Sequence, residues 1–173
     1  AFCKARPPDV RRRGDLAFDV YDRVVTRLAG TINRVNLWGA GEPMMHPEFF
    51  RMARRAADLG IGRIKVSTNG HFLSPDNVGK VLESGITQIR VALDHSSSEE
   101  YVRGRRGGDF GRVVTGIERL CSAKREAGHP LRVVICAVSV ARTAVEDHPV
   151  RNLAAKLGAD SFELQYDIWD EQG

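Results

Sequence analysis

The sequence predicts an α/β fold built on a parallel sheet. Segments with strand-like and helix-like hydrophobic patterns alternate, so that each predicted strand is joined to the next by a predicted helix. The strands are rich in β-branched residues, as in "LRVVICAVSV", which is typical of strands buried on both faces of a parallel sheet. Periodicity alone leaves two arrangements open, a doubly wound open sheet and a barrel.

The predicted elements follow one another in a regular order. The helix in "SPDNVGKVLESG" has the clearest ends, because Ser74 is a favourable N-cap, Pro75 suits the first helical position and Gly85 can end the helix. The predicted strands are "RVNLW", "RIKVST", "TQIRVALD", "LRVVICAVSV" and "SFELQYD". The other predicted helices are "DLAFDVYDRVVTRLAG", "PEFFRMARRAADLG", "DFGRVVTGIERLCSAKREAG" and "HPVRNLAAKLG".

Length and composition are those of an ordinary globular chain. The 173 residues are 42% hydrophobic and 28% charged, with no break in composition, so residues 1–173 are expected to form a single domain. No apolar run approaches the roughly 20 residues of a membrane span, and no signal peptide opens the chain, so we expect a soluble, cytoplasmic protein with no membrane partner. The first helix has no strand before it and no Met opens the chain, so the domain is expected to be incomplete at both ends.

The net charge is +4 and arginines cluster at Arg11–Arg13, Arg54–Arg55 and Arg103–Arg106. Such clusters permit an anionic partner. One hypothesis is therefore a non-catalytic α/β binding domain for RNA or another anionic partner. An aromatic content of 7% offers little for base stacking, so nucleic acid is not the expected partner.

In parallel α/β folds, functional residues collect where strands end. The first such end, "GAGEP", is a poor phosphate loop, because no Lys-Ser/Thr follows it and Met44 stands where a dinucleotide fingerprint needs a third glycine. Glu42 would also repel a phosphate and suits a cation, such as the ammonium group of an amino acid. A plain strand-to-helix turn is the other possibility, and the residues alone favour it.

Three segments resemble motifs of the radical S-adenosylmethionine (radical SAM) enzymes, in the family's order and spacing. "LWGAGEPMMHPEFF" resembles its GGEP segment, with Ala40 to Pro43 at the four motif positions. "VSTNGHFLS" resembles its TNG segment, and "VALDHSSSEEYVRGRRGG" the segment in which a strand ends in Ser-x-Asp before a Tyr and an Arg-Gly. The resemblance implies a partial (β/α)6 TIM-like barrel of parallel strands with outer helices, whose first strand is absent from this chain.

The resemblance also gives Cys3 a role. The family's signature is Cys-x-x-x-Cys-x-aromatic-Cys, and "AFC" matches its end, with Phe2 as the aromatic residue and Cys3 as a ligand of a [4Fe-4S] cluster. The two other cysteines would precede Ala1, so the chain is expected to be truncated within the motif and to bind the cluster poorly by itself. Cys121 and Cys136 fall within apolar patterns and are expected to be buried core residues.

Further site residues are implied by matching positions. Gly41 and Glu42 would receive the ammonium group of S-adenosylmethionine, and Asp94 would contact its ribose, since Ala92 replaces the Ser found in many members. Arg105 or Arg106 would meet the methionine carboxylate, which a guanidinium fork suits. The complete set of implied cofactor-binding residues is Phe2, Gly41, Glu42, Pro43, Ser67, Thr68, Asn69, Asp94, Arg105 and Arg106.

The activity implied by the resemblance is radical generation. A reduced cluster would transfer one electron to S-adenosylmethionine, and the resulting 5′-deoxyadenosyl radical would abstract a hydrogen from a small-molecule, peptide or protein substrate. An electron donor such as flavodoxin or ferredoxin is implied as a partner. No protein acid or base is needed, so neither His46 nor His71 is predicted to be catalytic.

Overall fold

The computed structural model describes residues 14–39, 41–105, 107–139 and 144–166. Within these ranges the helices are α1 (Phe18–Leu28), α2 (Phe49–Asp58), α3 (Pro75–Glu83), α4 (Ser98–Gly104), α5 (Phe110–Glu126) and α6 (Pro149–Lys156). The strands are β1 (Arg34–Asn36), β2 (Arg63–Thr68), β3 (Gln88–Ala92), β4 (Arg132–Ser139) and β5 (Ser161–Tyr166). Two short 3-10 turns, Pro43–Met45 and Val145–Asp147, precede α2 and α6.

The strands form one parallel five-stranded sheet in the order β1-β2-β3-β4-β5. Each crossover therefore moves one strand in the same direction, and right-handed crossovers of that kind place every connecting helix on the same face. A doubly wound sheet would instead reverse direction at a switch point. The topology confirms the predicted α/β fold and agrees with a partial barrel wall.

The hydrophobic core lies between the helices and one face of this sheet. Alternate strand residues such as Ile64, Val66, Ile89 and Val91 are fully buried there against the apolar faces of the helices. None of the described helices is both long enough and apolar enough to cross a membrane.

The opposite face of the sheet, which we call the open face, differs from the sequence expectation. Burial on both faces holds for β4, where Val133 to Ala137 are all buried. The expectation is wrong for β2 and β3, where buried residues alternate with half-buried or exposed ones. The alternating residues include charged ones such as Lys65 and Arg90, which stay partly accessible because no described helix covers that face.

Side-chain caps mark the starts of α3, α4 and α5. Ser74 accepts a hydrogen bond from the Asn77 N–H at 3.2 Å, which confirms the predicted start of α3. Helix α4 was not expected, because Tyr101 is its one buried residue and the segment shows no apolar periodicity. Ser97 caps it by accepting from the Glu100 N–H at 3.4 Å.

Candidate functional site at the carboxyl edge of the sheet

The segments after β1 and β2 are joined by the carboxylate of Glu42. Its Oε1 accepts hydrogen bonds from the Thr68 hydroxyl at 2.6 Å and from the Met44 N–H at 3.2 Å. Its Oε2 accepts from the Asn69 N–H at 2.7 Å. Glu42 also caps the 3-10 turn that begins at Pro43. The side chain predicted to face a cation thus also holds two predicted site segments together.

Gly41, next to Glu42, has a backbone conformation that favours glycine. Its φ is +120°, which a residue with a Cβ rarely adopts. A Cβ built at Gly41 would meet no atom within 4 Å, so space is left open beside the backbone at this point. Gly39 and Gly41 are both exposed, and this glycine-rich backbone can therefore approach a ligand closely.

The turn after β2 is held in place by tight packing at Gly70 and by a hydrogen bond from the His71 N–H to the Asn69 side chain. Gly70 has a φ of +81°, and a Cβ at this position would lie 2.8 Å from Val91 Cγ1 and 2.9 Å from Val113 Cγ1. The Asn69 side chain does not face outward freely, because its Oδ1 accepts from the His71 N–H at 2.9 Å. The turn is therefore packed tightly against β3 and α5 behind it.

His71 links this turn to the start of α5, a role that the sequence did not suggest. Its Nε2 accepts from the Asp109 N–H at 2.9 Å, which leaves Nδ1 to carry the proton and donate to Asn69 Oδ1 at 3.2 Å. His46 is similarly occupied, with Nδ1 accepting from the Glu48 N–H and Nε2 lying 3.0 Å from the Leu16 carbonyl oxygen. Both imidazoles thus hold backbone in place.

Asp94 and Arg105, two further predicted site residues, contact each other. The Asp94 side chain is 1% exposed, and its Oδ2 lies 2.8 Å from Arg105 Nε and 2.7 Å from Arg105 Nη2. Its Oδ1 accepts from the Val138 N–H at 2.9 Å, so it also joins the ends of β3 and β4. The guanidinium carbon of Arg105 lies 5.8 Å from the centre of the Tyr101 ring. Arg105 is thereby held at the carboxyl edge with part of its side chain exposed.

The structure therefore groups the predicted residues into two sets. Glu42, Thr68 and Asn69 form one, and Asp94 with Arg105 forms the other. Ser67 lies on the open face, beside Arg90 in the β2–β3 register. Phe2, Cys3, Ala40 and Arg106 lie outside the described residues.

The site residues fit S-adenosylmethionine better than they fit a complete cluster. The open space at Gly41 and the exposed backbone around it suit an ammonium group, and Arg105 supplies a guanidinium for a carboxylate. The described residues contain no group of three or more His, Cys, Asp or Glu side chains that could hold a metal ion. Burial raises the pKa of the Cys121 thiol to about 11 and also raises the pKa of Cys136, so both are unsuited to act as thiolate ligands. Cys3, which the resemblance implies as a cluster ligand, lies outside the described residues.

The sequence of the chain matches a known protein family. The family model of the Radical SAM superfamily matches residues 1–138. The AdoMet-dependent heme synthase of Methanosarcina barkeri is 29% identical over 154 residues, which is 87% of this chain and 42% of that protein. A GTP 3′,8-cyclase of Rhizobium etli is 28% identical over 129 residues, which is 72% of this chain and 35% of that protein. The chain spans less than half the length of these relatives.

Solved structures support the fold. Streptococcus suis SuiB bound to S-adenosylmethionine superposes with a TM-score of 0.68 at 16% identity, covering 84% of this chain and 32% of that one. A 2,3-dimethylmalate lyase superposes less closely, with a TM-score of 0.55 at 14% identity, over 83% of this chain and 53% of that one. At these identities the likeness concerns the fold alone. The superfamily is one of enzymes whose cofactors are S-adenosylmethionine and a [4Fe-4S] cluster. Because the family model matches residues 1–138, most of its length, this chain belongs to the Radical SAM superfamily.

Proposed function

We propose that this chain is the S-adenosylmethionine-binding core of a radical SAM enzyme. The observation that carries the proposal is the Glu42 carboxylate, which holds the "GAGEP" and "STNG" segments together beside the open backbone at Gly41. In this proposal the backbone carbonyls around Gly41 accept from the cofactor's ammonium group. Glu42 supplies negative charge nearby and fixes the position of that backbone.

The remaining site residues are proposed to bind the methionine carboxylate and the ribose of S-adenosylmethionine. Arg105, oriented by Asp94, offers its remaining N–H donors to the methionine carboxylate. Asp94 is enclosed by Arg105 and the Val138 N–H, so its predicted ribose contact requires a water or a small shift of Arg105. Arg106, outside the described residues, is the other candidate for the carboxylate.

The chemistry that the two cofactors supply when bound is one-electron reductive cleavage of S-adenosylmethionine to a 5′-deoxyadenosyl radical, which abstracts a hydrogen from the substrate. This chain's contribution is to orient the methionine end and to exclude water from it. We further propose that Cys3 is a cluster ligand, that flavodoxin or ferredoxin donates the electron, and that residues 1–173 form one domain in the cytoplasm.

The substrate is proposed to be a small molecule or a peptide. The names of the relatives point to more than one kind of substrate. One is a GTP cyclase, and a mycofactocin maturase of Mycobacterium ulcerans is 29% identical over 49% of this chain and 23% of that protein.

Anaerobic reconstitution of the protein expressed from its complete gene tests the proposal. With iron, sulfide, dithionite and S-adenosylmethionine, we expect the absorbance of an iron–sulfur cluster and release of 5′-deoxyadenosine. Cys3→Ala should abolish both signals, whereas Cys121→Ala, which removes a buried thiol elsewhere, should keep them. A reconstituted protein with no cluster, or a clustered one that releases no 5′-deoxyadenosine, would contradict the proposal.

A further inference from the structure

The open face of the sheet is strongly basic. Because Val35, Ile64 and Ile89 pack on the helix side, the residues that alternate with them lie on the open face. In the described strands, the charged residues at these positions are Arg34, Arg63, Lys65, Arg90, Arg132 and Glu163. Basic side chains thus outnumber the single acidic one on this face by five to one.

Three of these basic residues lie side by side. Arg34 and Arg63 are direct register partners in neighbouring strands, and Lys65 follows on the same face of β2. Neighbouring strands are about 4.8 Å apart, so like charges placed opposite each other destabilise a sheet. No acidic side chain in the described part of the chain forms an ion pair with any of the three. Among the described residues, their charge is therefore not neutralised by an ion pair.

Arg90 adds a fixed guanidinium to this surface. Its Nη2 lies 2.9 Å from Glu163 Oε2 and 3.0 Å from Cys136 Sγ, which holds the side chain in place. Its Nε–H is buried and has no acceptor among the described residues. Buried donors are almost always paired, so this N–H is a place where an anionic acceptor would fit. Within the described ranges, the half-exposed side chain of Glu163 forms an ion pair with Arg90 alone.

The basic face is continuous with the cofactor site. Ser67 stands next to Arg90 in the β2–β3 register, and Thr68, the residue after it, donates to Glu42. Arg34 and Arg63 begin β1 and β2, and Arg63 lies roughly 16 Å before Thr68 along the strand. A molecule that extends along the open face from these residues past Arg90 would reach the edge where S-adenosylmethionine is proposed to bind. Guanidinium groups pair with both carboxylate and phosphate oxygens, often through two hydrogen bonds at once.

We propose that the open face binds a small substrate that carries several negative charges, as carboxylate or phosphate groups. The role of the ligand as substrate rests on the proposed radical SAM function, whereas the binding itself does not. Arg34, Arg63 and Lys65 hold one anionic group, and Arg90 receives another nearer the cofactor. The site should therefore prefer a polyanion. A ligand with a single negative charge can contact either the Arg34–Arg63–Lys65 cluster or Arg90, but not both.

Calorimetric titration of the purified chain with citrate, tripolyphosphate and acetate at one ionic strength tests this inference. We expect citrate or tripolyphosphate to bind at least about tenfold more tightly than acetate, and the tighter of the two identifies carboxylate or phosphate as the preferred group. The double variant Arg63→Gln/Lys65→Gln should weaken that binding by about tenfold. The control variant Arg27→Gln/Arg112→Gln removes the same amount of charge from exposed helix positions, and it should leave the affinity for the polyanion unchanged.

Several results would overturn the inference. These are equal affinity for acetate and the polyanions, an equal loss in the helix control, or tighter binding of a single-stranded RNA oligonucleotide at the same residues. S-adenosylmethionine titrated into the anaerobically reconstituted protein from the complete gene, carrying the same substitutions, separates the two proposals. If this protein binds the polyanion but not the cofactor, the proposed function fails alone. If it binds the cofactor but no polyanion, this inference fails alone.

Discussion

The hydroxyl of Thr68 donates a 2.6 Å hydrogen bond to the carboxylate of Glu42, across the ends of two neighbouring strands. Thr68 is 3% exposed, so this contact lies at the bottom of the carboxyl edge rather than on its surface. The resemblance to the radical SAM motifs implies that Glu42 serves a cation, whereas the residues alone favour a plain turn. The structure adds a positioning role, because the same carboxylate fixes both segments that are proposed to contact the cofactor.

Replacement of Glu42 by Ala should lower the free energy of unfolding by about 2 kcal/mol. The Thr68 hydroxyl and the N–H groups of Met44 and Asn69 would lose their acceptor in a partly buried place. Urea denaturation measures the change. Glu48→Ala is the control, because the Glu48–Arg51 ion pair is exposed and its loss should cost below about 0.5 kcal/mol. Equal losses in the two variants would contradict a positioning role for Glu42.

The Asp94–Arg105 pair should be strongly coupled. Asp94→Ala leaves a guanidinium and the Val138 N–H unpaired and should cost about 3–5 kcal/mol. A double-mutant cycle with Arg105→Ala should give a coupling free energy above about 1 kcal/mol. The exposed pair Asp76–Lys80 within α3 serves as the reference and should give about 0.3–0.5 kcal/mol. A coupling free energy no larger than that of the reference pair would show that the Asp94–Arg105 contact does not stabilise the fold beyond an exposed ion pair.

Two glycine replacements should have opposite effects. Gly70→Ala forces a Cβ into a left-handed conformation and within 3 Å of Val91 and Val113, and should cost about 2–4 kcal/mol. Gly79→Ala places a methyl group in open space inside α3 and should stabilise the protein by about 0.5–1 kcal/mol. Thermal denaturation distinguishes them. Similar shifts in both variants would rule out the tight packing described for the turn after β2.

The buried thiol of Cys121 should make the protein less stable at alkaline pH. Burial raises its pKa from the ordinary 9.0 to about 11, so the folded state keeps a proton that the unfolded state loses in this range. The stabilisation is fully present below pH 9 and is lost as the pH rises through 11. Urea denaturation at several pH values should show this decline, and Cys121→Ala should reduce it. An unchanged pH dependence in that variant would mean that Cys121 does not retain its proton.

Much of the fold could be predicted from local signals. Ser74 and Pro75 marked the start of α3, and "RIKVST" coincides with β2 because its apolar residues alternate and glycines flank it. Helix α4 could not be predicted, since its stability depends on a single buried ring, Tyr101, and on the Ser97 cap. The polar open face was also missed, because apolar content in β4 suggested burial of the whole sheet on both sides.

The site was predictable in location but not in its contacts. The strand-end motifs placed Glu42, Asn69 and Asp94 at one edge, and the structure has them there. That Asp94 pairs with Arg105, and that His71 bridges to the Asp109 N–H, depends on side chains brought together from distant parts of the sequence. The spacing of residues along the sequence does not reveal such contacts. The end of a predicted parallel strand, by contrast, indicates that a residue lies at the carboxyl edge of the sheet.

Binding of S-adenosylmethionine to the anaerobically reconstituted protein, measured by calorimetry, tests the central claim most directly. We predict one saturable site in the wild-type protein and in Glu48→Gln, and at least about tenfold weaker binding in Glu42→Gln, since an amide can accept at only one of its two terminal atoms. Absence of binding, or equal affinity in the two glutamine variants, would contradict the claim that the edge held together by Glu42 is the cofactor site.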